Sequence, residues 1–384
     1  MSHYLDYNAT ALGRPEVGVA VADALALAGN PSSVHAPGRR ARACLEDARA
    51  QVAALAGTSP ENLLFTGSGT EANNLALSGP RPARILASAI EHPSILRPAA
   101  ERPGGFALIP VDGHGVVDLG ALKALLAEPS DGPVLVTVMM ANNETGVLQP
   151  SEKVVEIAKQ AGALVHIDAV QAAGRVALEF DRLGADLMSL SAHKLGGPKG
   201  VGVLVKRAEI TLAPLIAGGG QERSLRAGTE NLPGIAGFGR AAHSALAELT
   251  DGTEIERQRD LRDRLEAAIA AATPAVVVVG GQVPRLVNTS CLAFPGVAAE
   301  TLVIAFDLEG FAVSAGSACS SGKVEASHVL AAMDLAPGLA SSAIRISVGY
   351  ATTIQEIDAF VAACRVVLGR NAGAAALGVD RQPA

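Results

Sequence analysis

Ser191-Ala192-His193-Lys194 runs straight into Leu195-Gly196-Gly197-Pro198-Lys199-Gly200, and an acid, Asp168, closes an apolar run upstream of it. A lysine amine can form a Schiff base with an aldehyde, and a carboxylate can keep a pyridinium nitrogen protonated. Those are the two demands of pyridoxal phosphate (PLP). Alone, a lysine beside Gly-Gly-Pro reads as a solvated loop residue. Ser191 and His193 alter that reading, and so does Asp168, because an acid ending the buried run 164–167 is costly unless it meets a cation. Gln171, three residues on, and Asn143 can each donate to the cofactor's phenolate oxygen.

PLP also carries a phosphate. Gly67-Ser68-Gly69-Thr70-Glu71 joins the apolar Leu63-Leu64-Phe65 to a helical segment over 71–77. Backbone amides at Gly69 and Thr70, with the Thr70 hydroxyl, make a phosphate cup at a helix N-terminus. The segment is neither a Walker loop nor a dinucleotide fingerprint, since it lacks the Lys-Ser/Thr and the third spaced glycine. His92, in Glu91-His92-Pro93, can stack on a pyridine face and shuttle protons near neutral pH.

Two further motifs address the substrate. On a strand, Ile344, Ile346 and Val348 share one face, so Arg345 and Ser347 point the other way. The arginine fork suits an amino acid's α-carboxylate, the alternative being an internal salt bridge. Asn30, in Gly29-Asn30-Pro31-Ser32-Ser33-Val34-His35, is a second candidate for holding substrate. Cys319 lies in Ala315-Gly-Ser-Ala-Cys-Ser-Ser-Gly322, among small, turn-forming neighbours. Such a loop can swing a thiolate into a cleft to attack a substrate sulfur. Cys44, Cys291 and Cys364 read instead as small buried hydrophobes.

These residues need a scaffold. Apolar runs at 83–87, 134–140, 163–167 and 201–205 predict buried strands, and periodicity predicts helices over 38–56 and 152–161. Strand–helix alternation with continuously apolar strands implies an α/β fold with a largely parallel sheet covered on both faces. His92, Asn142-Asn143 and Asp168 with Gln171 each follow a strand, where open α/β sheets bind ligands. A helix near 233–249 leads to the polar Thr250-Asp251-Gly252, read as a boundary. Beyond it the pattern predicts helices over 254–271 and 299–308 and strands at 275–279, 286–294, 311–314 and 343–348. Thr353-Ile354-Gln355-Glu356 has the form of a capping box for the last helix. The reading is a large PLP-binding domain over 14–250, and a small α+β domain of 1–13 and 251–384 that carries the Cys319 loop.

The chain has 384 residues, 49% apolar and 18% charged, with no Trp and a formal charge of −7. That balance argues against nucleic acid as partner, and the basic Arg39-Arg40 with Arg42 reads as a solvated helix face. No apolar run reaches membrane-spanning length, and the opening residues do not read as a signal peptide. Four scattered cysteines, with no C-x-x-C and no Cys/His pair at metal spacing, point to a reducing cytoplasm and to no metal site.

Taken together, these motifs resemble the class V aminotransferase superfamily, and within it the cysteine desulfurases of the NifS/IscS type. The matching segments include Tyr4-Leu-Asp-Tyr-Asn-Ala-Thr10, Asn142-Asn-Glu-Thr-Gly146, His166-Ile-Asp-Ala-Val-Gln171, Arg226-Ala-Gly-Thr229 and Ser314–Ser321, besides those already named. The resemblance implies an aspartate-aminotransferase-like, PLP-dependent transferase fold and a homodimer, with Thr229 reaching the phosphate in the partner subunit. It implies that L-cysteine becomes L-alanine, that Lys194 and His92 move protons, and that Cys319 becomes a persulfide. The sulfur would pass to an acceptor or iron–sulfur scaffold protein, for cluster assembly or for thiolation of tRNA or another cofactor. The stretch between Cys319 and Arg345 resembles the members with a mobile catalytic loop. Ala227 stands where serine is common, and the end, Gly373-Ala-Ala-Ala-Leu377 with a polar tail, lacks the extension by which some members dock a scaffold. The competing readings are a selenocysteine lyase, an aminotransferase of small amino acids, and a non-catalytic sulfur carrier. A loop thiol disfavours the aminotransferase, and Lys194, His92 and Cys319 together disfavour the carrier.

Overall fold

The computed structural model describes residues 3–102, 105–315 and 327–376, the side chains beyond 370 excepted. After the short β1 (His3–Tyr4), the main sheet is built from β2 (Leu63–Thr66), β3 (Arg84–Ser88), β4 (Gly105–Ile109), β5 (Val134–Met139), β6 (Leu164–Asp168), β7 (Leu187–Ser191) and β8 (Gly202–Lys206). Its spatial order is β2-β8-β7-β6-β5-β3-β4. Strands β3 to β7 pair in parallel, while β8 runs against both its neighbours.

Both faces of this sheet are covered. On β2, Leu63 and Phe65 enter one core with the helices Ala36–Ala56 and Leu232–Asp251, whereas Leu64 enters another behind the helix Gly69–Ser78. Successive residues of a strand point to opposite faces, so a strand buried on both sides must be apolar throughout. That is why these segments are continuous apolar runs.

Strand β7 was not expected from the sequence, because serines alternate with its apolar residues. Tertiary pairing satisfies Ser189. Ser189 Oγ lies 2.9 Å from Nε2 of the fully buried His166, whose Nδ1 meets Thr137 Oγ1 at 2.9 Å. Burial of that histidine pushes its pKa down to about 4, so it stays neutral between the two hydroxyls.

The C-terminal third forms a second unit. Strands β9 (Val277–Val278), β10 (Thr289–Ala293), β11 (Phe311–Ala312), β12 (Ser314–Ala315) and β13 (Ala343–Ser347) are shorter than the apolar runs suggest. The expected strand at 311–314 divides: β11 pairs with β1, and β12 joins the antiparallel sheet β12-β13-β10-β9. Leu5 packs in the core of this unit with Leu261, Phe294, Phe306 and Phe360. The polar Thr250-Asp251-Gly252 is a corner, not a linker: one helix ends at Asp251, Gly252 takes φ +79°, and the next helix starts at Thr253. The capping box forms as expected, with Thr353 N–H donating to Glu356 Oε2 at 2.8 Å and Glu356 N–H to Thr353 Oγ1 at 3.3 Å. Cys291 and Cys364 are core residues whose thiols burial raises to about 12, and Cys44 is half-buried.

A buried ion pair ties the segment after β8 to the end of β2. Arg49 donates to both oxygens of Glu222, at 3.0 and 2.6 Å, and Glu222 also accepts from Phe65 N–H at 2.9 Å. It thereby holds Glu222, Arg223 and Ser224 at positive φ, a region costly for residues with a Cβ. Both side chains are under 5% exposed, so removing Glu222 leaves the buried Arg49 with only the partly exposed Glu46, at 3.0 Å. Glu222→Ala is therefore expected to cost about 3–5 kcal/mol in denaturant unfolding, and Arg49→Leu in the same chain should recover part of that loss. Wild-type stability in the single variant would show that the pair contributes nothing net.

Candidate active site

Five chain segments reach one edge of the main sheet. The turn after β2, His92 after β3, Asn143 after β5, Asp168 at the end of β6 and Lys194 after β7 lie at the carboxyl ends of their strands. They surround a cleft of about 310 Å3, a usual size for a small-molecule site. Of the expected residues, Gly69, Thr70, His92, Asn143, Asp168, Gln171, Ser191, His193, Lys194 and Arg345 all line it. Thr229 and Asn30 do not. Thr229 is exposed away from this cleft, and Asn30 turns its Oδ1 onto Ser32 N–H of its own loop at 2.8 Å. Cys319 lies outside the described residues.

Asp168 is anchored from two sides. Its Oδ1 accepts from Val170 N–H at 3.0 Å, and its Oδ2 from Asn73 Nδ2 at 2.8 Å. Asn73 Nδ2 also donates to Ser94 Oγ at 2.9 Å, and that hydroxyl lies 2.8 Å from His92 Nδ1. Ser94 N–H reaches the same Nδ1 at 3.1 Å, which makes it an acceptor and places the neutral ring's proton on Nε2. Burial holds the imidazole below its ordinary pKa; Asp168 opposes this, while Lys194, His328 and Arg97 reinforce it. The chain Asp168–Asn73–Ser94–His92 was missed in the sequence. Its one local signal is spacing: Asn73 follows Thr70 by three residues on the helix Gly69–Ser78, which puts both on one face.

The N-terminal segment supplies the opposite wall. Lys194 Nζ donates to the carbonyls of Asn8 at 2.6 Å and Ala9 at 3.0 Å, and Gln171 Nε2 donates to the same Asn8 oxygen at 2.9 Å. One carbonyl thus brings Lys194 and Gln171 to a common point. His193 Nδ1 meets Thr10 Oγ1 at 3.2 Å, and burial followed by the charges of Lys194 and Lys199 lowers its pKa to about 4. Asn143 engages its neighbours through its backbone carbonyl, which accepts from Arg345 Nη1 at 2.9 Å.

Arg345 forms the internal salt bridge, one of the two readings left open by the sequence. Nη2 donates to Asp6 at 2.7 Å, an internal salt bridge, yet the buried Nε has no partner among the described residues. Asp6 also accepts from Ser314 Oγ at 2.8 Å, next to the start of the undescribed segment. Beyond its other end, Ser327 Oγ donates to the buried Glu144 at 2.6 Å.

At the phosphate cup, Glu71 accepts from Gly67 N–H and Ser68 Oγ accepts from Glu71 N–H, while Gly69 and Thr70 begin the helix with amides that no intrahelical carbonyl meets. A Cβ at Gly69 would press on Ser191 Cβ at 3.1 Å and Val170 Cγ2 at 3.2 Å, both in the cleft wall. At Gly202 it would strike Ser68 at 2.4 Å, so β8 needs glycine there for the cup to approach.

A phosphate cup, an anchored acid and a lysine around one cleft match a family. The class-V aminotransferase model covers residues 3–360. The chain belongs to the class-V aminotransferase family. It is similar to a cysteine desulfurase of Cereibacter sphaeroides, with 44% identity over 366 residues, covering 92% of each chain. A cysteine desulfurase IscS of Dictyoglomus turgidum is 40% identical over 365 residues, covering 92% of this chain and 91% of the relative. Among solved structures, a NifS-like protein from Rickettsia africae superposes with a TM-score of 0.89 at 36% identity, covering 96% of this chain and 100% of that one. The family's enzymes depend on PLP, and this member's fold is the PLP-dependent transferase fold.

Two buried acids near the cleft escaped the sequence reading. Glu91 is fully buried, accepts from Met139 N–H through Oε1 at 2.6 Å and leaves Oε2 without a partner among the described residues. Burial and then the charge of Asp168 raise it well above the usual carboxylate range, which favours its protonated form. Glu144 is raised to about 7, chiefly by burial, with Ser327 and Arg345 opposing. A folded-state pKa above the ordinary 4.5 means that folding takes up a proton. The stability linked to Glu144 is therefore present below about pH 4.5 and lost as pH rises through 7. Glu144→Gln should remove this loss, gaining about 2–3 kcal/mol over wild type between pH 5 and 8 in urea unfolding. Parallel pH profiles for the two proteins would refute the assignment.

Proposed function

We propose that this enzyme converts L-cysteine to L-alanine and carries the sulfur away as a persulfide on Cys319. The observation that carries the reading is the convergence of Lys194, Asp168, His92 and Arg345 on one cleft, in a chain whose relatives from Cereibacter sphaeroides and Dictyoglomus turgidum are named cysteine desulfurases. The donor set fits PLP. Asp168 would hold the pyridinium nitrogen, Gln171 the phenolate oxygen, His92 the ring face and Lys194 the aldehyde carbon. The amides of Gly69 and Thr70, with the Thr70 hydroxyl, Ser191 and His193, would hold the phosphate. Bound there, PLP supplies an electron sink that acidifies the substrate's Cα–H and weakens its Cβ–S bond.

Arg345 binds the substrate carboxylate; its Nε is a ready donor, and the incoming carboxylate competes with Asp6 for the rest of the fork. Lys194 Nζ would move the substrate's Cα proton. His92 carries its ring proton on Nε2 and can donate it at that atom. The Cys319 thiolate attacks the substrate sulfur: an S–S bond forms, Cβ–S breaks, and the pair left on Cβ takes a proton to give alanine. No external oxidant is needed, because the carbon is reduced as the sulfur is oxidised. The sulfur then passes to an acceptor or iron–sulfur scaffold protein.

We assign Thr229 to the partner subunit's phosphate in a homodimer, which accords with its exposure away from its own cleft. No described helix is long and apolar enough to cross a membrane, and a cytoplasmic setting would keep Cys319 reduced.

Alanine release from L-cysteine with a thiol reductant tests this reading. Wild type should give alanine and sulfide in equal amounts. Cys319→Ser should keep the cysteine-dependent change in cofactor absorbance yet release almost no alanine, and normal turnover would exclude Cys319 as nucleophile. Lys194→Ala should lose the absorbance of lysine-bound cofactor; an active variant that retains it would overturn the site.

A further inference from the structure

Arg175 is a buried cation that the reading above does not use. Its Nη1 donates to Gln171 twice, to the backbone oxygen at 2.8 Å and to Oε1 at 2.5 Å, and Nη2 lies 3.5 Å from the Lys194 carbonyl. It is 8% exposed, and among the described residues no carboxylate pairs with it. It faces a chamber of about 40 Å3, room for roughly one water, on the far side of Lys194 from the cleft. Glu248 lines the same chamber but is taken up by Arg14, at 2.5 and 2.7 Å. A buried guanidinium held only by carbonyl oxygens keeps its full charge, which is costly unless that charge acts on something nearby.

Two consequences follow from its chemistry. Arginine is donor-only, so the Gln171 atom that meets it must be Oε1, which turns Nε2 toward the Asn8 carbonyl and Lys194. A cation on an amide oxygen also polarises the amide and strengthens its N–H donors. We propose that Arg175 is a positioning residue for the cofactor, fixing the Gln171 amide with Nε2 toward the cleft and setting a fixed positive charge behind Lys194. This rests on the reading of Lys194 and Gln171 as cofactor ligands.

The other charged groups facing Lys194 are Asp168, His92, His193 and Arg345 in the cleft, and Arg14 with Glu248 in the chamber. The chamber also holds the phenols of Tyr7 and Tyr350. Arg175 is the one of these that touches both Gln171 and Lys194.

The test is a pH titration of the absorbance of the PLP-loaded enzyme, with circular dichroism as the control for folding. A positive charge disfavours a proton on the Lys194 nitrogen, so Arg175→Met should move the midpoint up by about one pH unit. Arg175→Gln keeps a donor for Gln171 but drops the charge, and should shift the midpoint similarly. Arg175→Lys should return most of the way to wild type. A folded Met or Gln variant with the wild-type midpoint would overturn the proposal. Should Lys194→Ala still show lysine-bound absorbance, the site assignment itself would fail, which separates the two outcomes.

Discussion

A carboxylate buried at the end of a central parallel strand is the constraint around which the site is arranged. Asp168 is 5% exposed, and a charge so placed must be hydrogen-bonded or meet a cation. Val170 N–H and Asn73 supply the hydrogen bonds, and Asn73 passes the linkage through Ser94 to His92. The same charge helps keep Glu91 protonated, since two anions cannot share that space cheaply. The acid is thus linked to a ring whose tautomer Ser94 N–H sets, and its charge adds to the burial that favours the protonated form of Glu91.

The second organising feature is the N-terminal segment, which belongs to the small core through Leu5 and to the cleft through Asn8 and Ala9. Asn8 is buried and saturated: its N–H meets Ser347 Oγ, its side chain meets Thr289 and Asn288, and its carbonyl takes Lys194 and Gln171. Asp6, two residues earlier, fixes Arg345 on β13. A short stretch thus sets how the two sheets meet at the cleft.

Buried charge is graded across the site. Glu91 is raised well above the usual carboxylate range, and Glu144 is raised to about 7 beside the serine that caps the helix His328–Ala332. Arg175, pulled down to about 10 by burial and by the charge of Arg345, stays cationic at neutral pH. Each value follows from how far the surrounding chain replaces lost water with hydrogen bonds.

The amino-acid order alone determined the repeating strand–helix scheme, because a strand buried on both faces must be continuously apolar. It also pointed to most of the residues that line the cleft, since Gly69, Thr70, His92, Asn143, Asp168, Gln171, Ser191, His193 and Lys194 lie in short motifs at strand ends. Only tertiary structure decided the rest. Strand β7 was hidden by its serines, of which Ser189 meets its partner on a neighbouring strand, and the 311–314 run divided because its two halves pair with different sheets. Asn73, Glu91 and Asn8 take their roles from contacts between segments far apart in the chain. Asp168 and Asn73 are 95 residues apart, and Lys194 and Asn8 are 186 apart. Such distances close only when the sheet forms, which is why a motif can single out Lys194 but not the carbonyl that holds it.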